Sequence, residues 1–222
     1  MEITYIHHSG FLVETARFYY LFDYESGELP VLNPEKPIFV LSSHSHGDHY
    51  NPEIFHKLSP HPFHAILSHD ITPPADVDAL SVSPGMTCTL NPGQKLHTFR
   101  STDQGVAFLV EEDGQLIYHA GDLHDWYWEG EPEDWNAQMT ADYRTQMARL
   151  RDTLAGRTID TAFLVLDPRQ EDAYDRGLCY FLEQIPAKQV YPMHYWDNPG
   201  IIHTFLQAHP QYETQIQFTE MR

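Results

Sequence analysis

The sequence predicts an α/β fold in which sheets are covered by helices. Short apolar runs separated by turns fill the first half of the 222-residue chain, and strand-like and helix-like segments alternate in the second half. The sequence contains neither a tandem repeat nor a low-complexity block. Because domains usually hold about 100–200 residues, we expect a single domain spanning residues 1–222.

The first half is predicted to be rich in strands, at residues 2–6, 11–15, 18–24, 36–43, 63–68 and 95–99. The first three alternate with turn residues, as in an antiparallel meander. Residues 36–43 are apolar almost throughout, which is typical of a strand covered on both faces. Asn51 and Pro52 predict the start of a short helix, and the proline-rich residues 70–85 predict a connection. Asp113-Gly114 predicts a hairpin between two further strands.

The second half alternates between helices and strands. A long helix is expected at residues 137–155, with Asn136 as its cap and Gly156 as its stop. Its apolar stripe has helical spacing and comprises Met139, Tyr143, Met147, Leu150 and Leu154. The remaining segments predict strands at 161–167, 188–193 and 214–220, and helices at 173–185 and 201–210.

Composition limits the classes of partner. Thirteen Lys and Arg residues against 32 Asp and Glu residues give a net charge of −19, which disfavours binding to nucleic acid. The start of the sequence does not resemble a signal peptide, and no apolar run is long enough to span a membrane. The two cysteines, Cys88 and Cys179, do not form a disulfide-rich pattern. We therefore expect a cytoplasmic protein with a small-molecule substrate.

A cluster of potential metal ligands follows the apolar strand at 36–43, and it comprises His44, His46, Asp48 and His49. The cluster therefore lies at the carboxyl-terminal edge of the predicted sheet, where α/β proteins usually bind their ligands. His44 and His46 point the same way if the chain stays extended, and Gly47 would let the backbone turn sharply. Imidazole and carboxylate groups suit zinc, manganese or iron. The alternative is a solvated histidine-rich loop, but the full pattern favours a metal site.

The segment HSHGDH resembles the H-x-H-x-D-H signature of the metallo-β-lactamase-fold hydrolases. The segments YIHHSGFLVET, LIYHAGD and VYPMHY are similar to corresponding segments of that family, nearest to its ascorbate-phosphate-lactonase-like branch. The resemblance runs over essentially the whole chain. It implies a four-layer αββα sandwich of two mixed β-sheets flanked by helices, with a metal site at one edge of the sheets.

The same resemblance implies further ligands. Asp122 matches the aspartate that bridges two metals, and His194 matches the last histidine of the pattern. Asp48, His49 and His194 would then hold one ion. The family's additional histidine is missing from the other site, which contains His44 and His46, and the replacement is either Asp103 or His97. We favour Asp103, because a carboxylate can replace an imidazole; the alternative is that it only forms a turn.

These ligands imply a metal-dependent hydrolase with two divalent ions, zinc first and manganese or iron as alternatives. A metal-bound hydroxide would attack an ester, lactone or phosphoester bond of a small anionic substrate, with Asp48 and Asp122 as the catalytic carboxylates. The site that contains His44 and His46 is either completed by a carboxylate, weakly occupied or empty. Rival interpretations are a non-catalytic metal-binding or sensing protein and a di-iron oxidoreductase of the same fold, which normally carries a glutamate in the cluster and a flavin partner domain.

Other residues are predicted to lie near the site. His8 contacts either the substrate and ligands or only its own loop. Arg169 either clamps a carboxylate or phosphate of the substrate or forms an ion pair, for which Asp167 is a candidate. The segment at 123–136 contains three tryptophans and forms a pocket wall, packs on the sheet rim or makes a homo-oligomer contact. His124 in that segment is a further, weaker ligand candidate.

Overall fold

The computed structural model describes residues 1–218, which divide into two compact units, residues 1–83 and 84–218. The prediction of a single domain over residues 1–222 stays a prediction. The strands are β1 (Glu2–His7), β2 (Gly10–Glu14), β3 (Tyr19–Phe22), β4 (Ile38–Ser42), β5 (Phe63–Ser68), β6 (Ala79–Val82), β7 (Thr87–Asn91), β8 (Gln94–Arg100), β9 (Val106–Glu112), β10 (Gln115–His119), β11 (Ile159–Val165) and β12 (Ala187–Met193). The α-helices are α1 (Glu53–Lys57), α2 (Glu133–Leu154), α3 (Arg176–Gln184) and α4 (Gly200–Ala208).

The first unit contains a mixed six-stranded sheet in the order β1-β2-β3-β4-β5-β6. Strands β1 to β3 form the predicted antiparallel meander, and β3 to β6 are parallel. Every residue of β4 is buried, as expected for an apolar strand with parallel neighbours on both sides. Leu21, Val40 and Leu67 from neighbouring strands belong to one hydrophobic cluster, which holds the end of β4 in place.

The second unit contains another mixed six-stranded sheet, in the order β12-β11-β10-β9-β8-β7. Strands β7 to β10 are antiparallel, and β10 to β12 are parallel. The hairpin between β9 and β10 turns at Asp113 and Gly114, with φ angles of 48° and 87°, as the Asp-Gly pair predicts. Strands β11 and β12 therefore end at the same edge of this sheet as β10 does.

Two edge strands were not predicted. Residues 70–85 were expected to be only a connection, but they contain β6, and β7 was also missed. Each lies at the edge of its sheet, where one side of the strand has no neighbour. Because the residues of both strands are largely half-buried or exposed, their sequences lack the apolar pattern that identifies an internal strand.

Helix α2 begins earlier than the sequence suggests. Asn136 was predicted to be its cap, but it lies inside the helix, where its amide accepts a bond from the Trp128 amide and donates one to the Trp128 carbonyl. The helix ends as predicted, with Ala155 and then Gly156 in left-handed conformations. Most of the predicted apolar stripe is buried, namely Tyr143, Met147, Leu150 and Leu154.

The α/β class and the two mixed sheets with accompanying helices are confirmed. At the end of the chain, Ile216 forms an isolated parallel bridge with Val190. The predicted strand at 214–220 extends past the described residues, so residues 219 and 220 lie outside them. Within residues 1–218, no helix combines the length and apolarity needed to cross a membrane.

Candidate metal centre

The histidine-rich loop of the first unit begins directly after β4. The carbonyl of His46 accepts hydrogen bonds from the amides of His49 and Tyr50, each at 3.0 Å, so the loop closes as a helical turn. Gly47 does not adopt the left-handed conformation, and a Cβ there would meet no atom within 4 Å. The backbone therefore turns here as expected, but the carbonyl of His46 closes the turn and no left-handed Gly47 is required.

Asp23 organises this loop from the end of β3. Its Oδ1 accepts a hydrogen bond from the Ser43 amide at 2.7 Å, and its Oδ2 accepts one from the Ser43 hydroxyl at 2.6 Å. The same Oδ2 lies 2.8 Å from Nδ1 of His49. Asp23, Ser43 and His49 are all fully buried, so this network is shielded from water. One carboxylate thus fixes the backbone and a ring of the loop.

The hydrogen-bond directions determine which nitrogen each histidine offers. Because a carboxylate only accepts, His49 must carry its proton on Nδ1, and the nitrogen offered to a metal is Nε2. The Ser43 hydroxyl donates to Asp23, so at 2.9 Å it accepts from Nδ1 of His44. His44 therefore also offers Nε2. Such carboxylate-to-histidine contacts orient metal ligands in proteins.

The four predicted ligands of this loop lie close together. The rings of His44 and His46 are 4.6 Å apart between centroids, and those of His44 and His49 are 4.2 Å apart. Ligand atoms of His8, Asp48 and His49 lie within 4.8 Å of one another. His8 is buried, and its Nε2 is 3.6 Å from Oδ2 of Asp48. The structure therefore places His8 beside the predicted ligands.

In the second unit, Asp122 and His194 follow β10 and β12. Nε2 of His194 lies 3.5 Å from Oδ1 of Asp122, and both side chains are buried. The Asp122 carbonyl accepts a hydrogen bond from the indole of Trp126 at 2.9 Å, and the hydroxyl of Thr102, which donates to the His124 carbonyl at 2.6 Å, lies 3.3 Å from it. These contacts hold the backbone of the bridging candidate against its neighbours.

Asp167 supports His194 as Asp23 supports His49. Its Oδ2 accepts a hydrogen bond from Nδ1 of His194 at 3.0 Å, so Nε2 faces Asp122. Burial alone would raise the pKa of Asp167, but hydrogen bonds from His194 and Arg169 outweigh it and hold that pKa well below its usual range. The supporting carboxylate is thus ionised wherever the protein is folded near neutral pH.

Arg169 forms an ion pair with Asp167, which was the alternative to a role in binding substrate. Its Nε donates to both carboxylate oxygens of Asp167, at 3.0 and 2.9 Å, and its Nη2 donates to Oδ2 at 2.5 Å. The guanidinium lies over the rings of Trp196 and Trp128, 4.4 and 5.8 Å from their centroids. About half of the side chain is exposed (48 %), so one part of it still faces solvent.

The structure distinguishes between Asp103 and His97 as the residue that replaces the family's missing histidine. Asp103 and Asp122 each offer a carboxylate oxygen, and these oxygens lie within 4.8 Å of each other. The Asp103 amide donates to the Ser101 hydroxyl at 3.1 Å, which forms the turn that places it there. His97 lies within β8, where its Nδ1 is 3.0 Å from the Thr87 hydroxyl. The geometry therefore favours Asp103.

The tryptophan-rich segment packs on His194. Trp126 is buried, stacks on Trp128 with centroids 5.9 Å apart, and meets the ring of His194 edge-on at 5.5 Å. The exposed Trp196 meets His194 from another direction at 5.7 Å. The pocket-wall interpretation agrees with this enclosure, which shields His194 from water.

His124, the weaker ligand candidate, forms a hydrogen bond with Gln170. Nε2 of His124 donates to the side-chain oxygen of Gln170 at 2.8 Å, since the Gln170 amide nitrogen itself donates to the carbonyls of Asp125 and Tyr127. Burial lowers the pKa of His124 to about 4, so its ring is neutral. This ring forms part of the support behind the tryptophan segment.

Sequence reasoning missed the role of Asp23 and the position of Trp196. The available signal for Asp23 was an acid placed directly after four buried strand residues in YYLFD. A lone acid at a strand end is more often a turn residue, so the pattern did not single it out. Asp167 was named only as a partner of Arg169, although it also orients His194.

Comparison with known proteins supports the fold. A metallo hydrolase, Igni18 from the archaeon Ignicoccus hospitalis, is 17% identical, with a TM-score of 0.71, over 98% of this chain and 94% of the other. CmlA, a diiron β-hydroxylase from Streptomyces venezuelae, is 11% identical with a TM-score of 0.66, and the match covers 99% of this chain and 52% of CmlA.

Zinc-bound PqqB from Methylobacterium extorquens is 12% identical with a TM-score of 0.56, over 96% of this chain and 84% of PqqB. No protein of curated function matches the chain. At these identities the similarity shows the metallo-β-lactamase fold, and the lactonase-like branch stays a prediction. The family model described as the beta-lactamase superfamily domain matches residues 2–131, more than half of the chain. The chain therefore belongs to the beta-lactamase superfamily.

Proposed function

We propose that the protein is a metal-dependent hydrolase that uses two divalent ions, zinc before manganese or iron. By the family's pattern, His44, His46 and Asp103 would hold one ion, Asp48, His49 and His194 would hold the other, and Asp122 would contribute to both. The observation that carries the proposal is the repeated support of histidines by buried carboxylates. Asp23 orients the rings of the first unit, and Asp167 orients His194 in the second.

The donor set fits divalent ions of this kind. His44, His49 and His194 offer Nε2 from buried rings whose Nδ1 donates to a neighbouring oxygen. Neutral imidazoles and carboxylates are ordinary ligands of zinc, manganese and iron. Asp103 supplies an oxygen where the family pattern has a histidine, and this change favours an ion that accepts mixed nitrogen and oxygen ligands.

Two divalent ions, when bound, supply Lewis acidity and lower the pKa of a coordinated water toward neutrality. The chain supplies the positions for proton transfer. The side chain of Asp48 is about one third exposed (35 %), and its Oδ2 lies 3.6 Å from Nε2 of His8. We assign Asp48 to accept the proton from the attacking water and His8 to relay it. Asp122 would serve as a metal ligand whose carboxylate lies next to His194.

We assign the substrate to the class of small anionic molecules with an ester, lactone or phosphoester bond. The half-exposed guanidinium of Arg169 is anchored by Asp167 and stacked on Trp196, so its orientation is fixed before a ligand arrives. It can receive a carboxylate or phosphate at its solvent-facing edge. A nucleic acid is disfavoured by the net charge of −19. A cytoplasmic location and self-association are parts of this proposal.

The first test is metal content combined with hydrolysis. Protein purified without chelator is expected to contain two ions per chain by elemental mass spectrometry, and to hydrolyse members of an ester, lactone and phosphodiester panel. Asp122→Asn should remove the activity. Asp78→Asn makes the same chemical change at an exposed position of the first unit and should leave the activity unchanged. Retained hydrolysis in Asp122→Asn would contradict the proposed bridging role.

The two rivals have different signatures. A di-iron oxidoreductase is favoured by the similarity in fold to CmlA, and an iron absorbance band in the purified protein would support it. A non-catalytic metal-binding or sensing protein would be fully loaded with metal yet inactive over the whole panel. Two ions together with hydrolysis that depends on Asp122 would exclude both.

A further inference from the structure

We propose that Asp175, Cys179 and His209 form a second, sulfur-containing zinc site within the second unit. One ligand atom from each residue lies within 4.8 Å of the others, and all three side chains are half-buried. These residues contribute nothing to the proposed hydrolase. A sulfur, a nitrogen and an oxygen donor meeting at one point form a ligand set that suits zinc.

The secondary structure brings the three residues together. Asp175 directly precedes α3, and Cys179 lies one turn later, where its amide donates to the Asp175 carbonyl at 2.8 Å. Side chains four residues apart in a helix share a face. His209 directly follows α4, and its ring lies on that of Phe205, with centroids 4.8 Å apart. The site would therefore join the start of α3 to the end of α4.

The contacts converge on a single nitrogen. Nε2 of His209 lies 2.6 Å from Oδ2 of Asp175 and 3.5 Å from Sγ of Cys179. A catalytic relay would place the acid on one ring nitrogen and the thiol on the other. Here both groups approach Nε2, so the arrangement is that of three donors around one position. This geometry distinguishes a ligand cluster from a nucleophile, base and acid in series.

The surroundings also disfavour a reactive thiol. Asp175 and Glu183 place negative charge near Cys179. Reactive cysteines have low pKa values and lie near positive charge. In this acidic surrounding a divalent cation would offset the negative charge, whereas an isolated thiolate would be opposed by it.

Zinc binding requires modest rearrangement with a defined proton balance. Two donors about 2.0–2.3 Å from one ion in a tetrahedral site are roughly 3.3–3.6 Å apart. The Cys179–His209 distance of 3.5 Å already fits, and the Asp175–His209 pair must open by about 1 Å. The thiol proton leaves to solvent, and the imidazole proton moves from Nε2 to Nδ1 by exchange with water. Water completes the coordination.

Cobalt(II) provides a selective probe, because only a thiolate ligand gives a strong sulfur-to-cobalt absorption in the near ultraviolet. The proposed hydrolase ligands contain no sulfur, so their loading would not produce this band. We expect the band on titrating the full chain with cobalt, and its loss in Cys179→Ser. Cys88→Ser is the matched control, since Cys88 lies in β7 and should leave the band intact.

A second measurement uses the unaltered chain, so it does not depend on a variant that folds. Alkylation of the two free cysteines is followed separately by peptide mass spectrometry with and without zinc. We expect zinc to slow the modification of Cys179 at least tenfold and to leave that of Cys88 within twofold. Equal slowing of both cysteines, no slowing of either, or a cobalt band that survives Cys179→Ser would overturn the proposal. If the wild-type protein shows the cobalt–sulfur band but does not hydrolyse any substrate, only the proposed hydrolase function is contradicted.

Discussion

Replacing Asp23 with asparagine tests whether this buried carboxylate sets the histidines of the first unit for metal binding. The new side chain has nearly the same shape, but one oxygen becomes an NH₂ group. In the native protein Oδ2 accepts from both the Ser43 hydroxyl and Nδ1 of His49. An NH₂ group at that position would face two donors. His49 would have to move its proton to Nε2, the nitrogen that the metal needs.

The expected size of the effect follows from these contacts. Removing an orienting partner of a metal-bound histidine typically costs about 10–100-fold in metal affinity, which corresponds to about 1.4–2.7 kcal/mol. Asp23 should lie at the upper end because it fixes His49 directly and His44 through Ser43. Ser43→Ala disturbs only the contact with His44 and one bond to Asp23. We therefore expect a loss of about tenfold for that variant.

The assay is zinc competition against a chromogenic chelator, performed on proteins whose circular dichroism matches the wild type. Asp78→Asn serves as the control because it makes the same change at an exposed position of the same unit. Nitrogen-correlated NMR of the histidine rings should show the proton of His49 on Nδ1 in the wild type and on Nε2 in the Asp23→Asn variant. A zinc affinity within twofold of wild type would refute the reasoning.

Three further predictions concern the second unit, and a fourth concerns Gly47 in the first. Asp103→Asn should lower the metal content from two ions per chain to one by elemental mass spectrometry, whereas His97→Asn should leave it at two. The pKa of about 4 for buried His124 means that its neutral ring stabilises the fold fully above about pH 6.5. Chelated protein should lose about 3 kcal/mol of unfolding free energy between pH 7 and pH 4 in urea titrations, and His124→Gln should flatten this slope. Gly177→Ala should destabilise by about 1–3 kcal/mol in the same titrations, since its Cβ would lie 2.4 Å from the ring of His124. Gly47→Ala should change stability by less than about 0.5 kcal/mol.

The internal strands were predictable because burial leaves a direct record in the sequence. Ile38–Ser42 is covered on both faces, so nearly every residue is apolar, and the Asp113-Gly114 turn has few alternatives. Ala79–Val82 and Thr87–Asn91 are edge strands with polar or half-exposed residues. Their pairing is decided by backbone hydrogen bonds to the neighbouring strand, which leave little trace in local composition.

The ligand candidates were predictable because metal binding restricts residue type and spacing together, as in His44, His46 and His49. Their supports were harder to find. Asp23 and His49 are 26 residues apart and meet only because β3 and β4 are neighbouring parallel strands. Asp167 and His194 are 27 residues apart and meet because β11 and β12 are neighbours in the other sheet. Such pairs become visible only when the order of the strands is known.

In each unit a buried carboxylate accepts a hydrogen bond from Nδ1 of a histidine, and this arrangement constrains how metal binding should respond to pH. Hydrogen bonds from His194 and Arg169 hold the pKa of Asp167 well below its usual range against the opposing effect of burial. Asp167 therefore stays ionised across neutral and mildly acidic pH and keeps the proton of His194 on Nδ1. A fall in zinc affinity between pH 7 and pH 5 would therefore not arise from loss of the charge on Asp167. Arg169→Gln removes one cause of the low pKa, so it should shift this profile only at the acidic end.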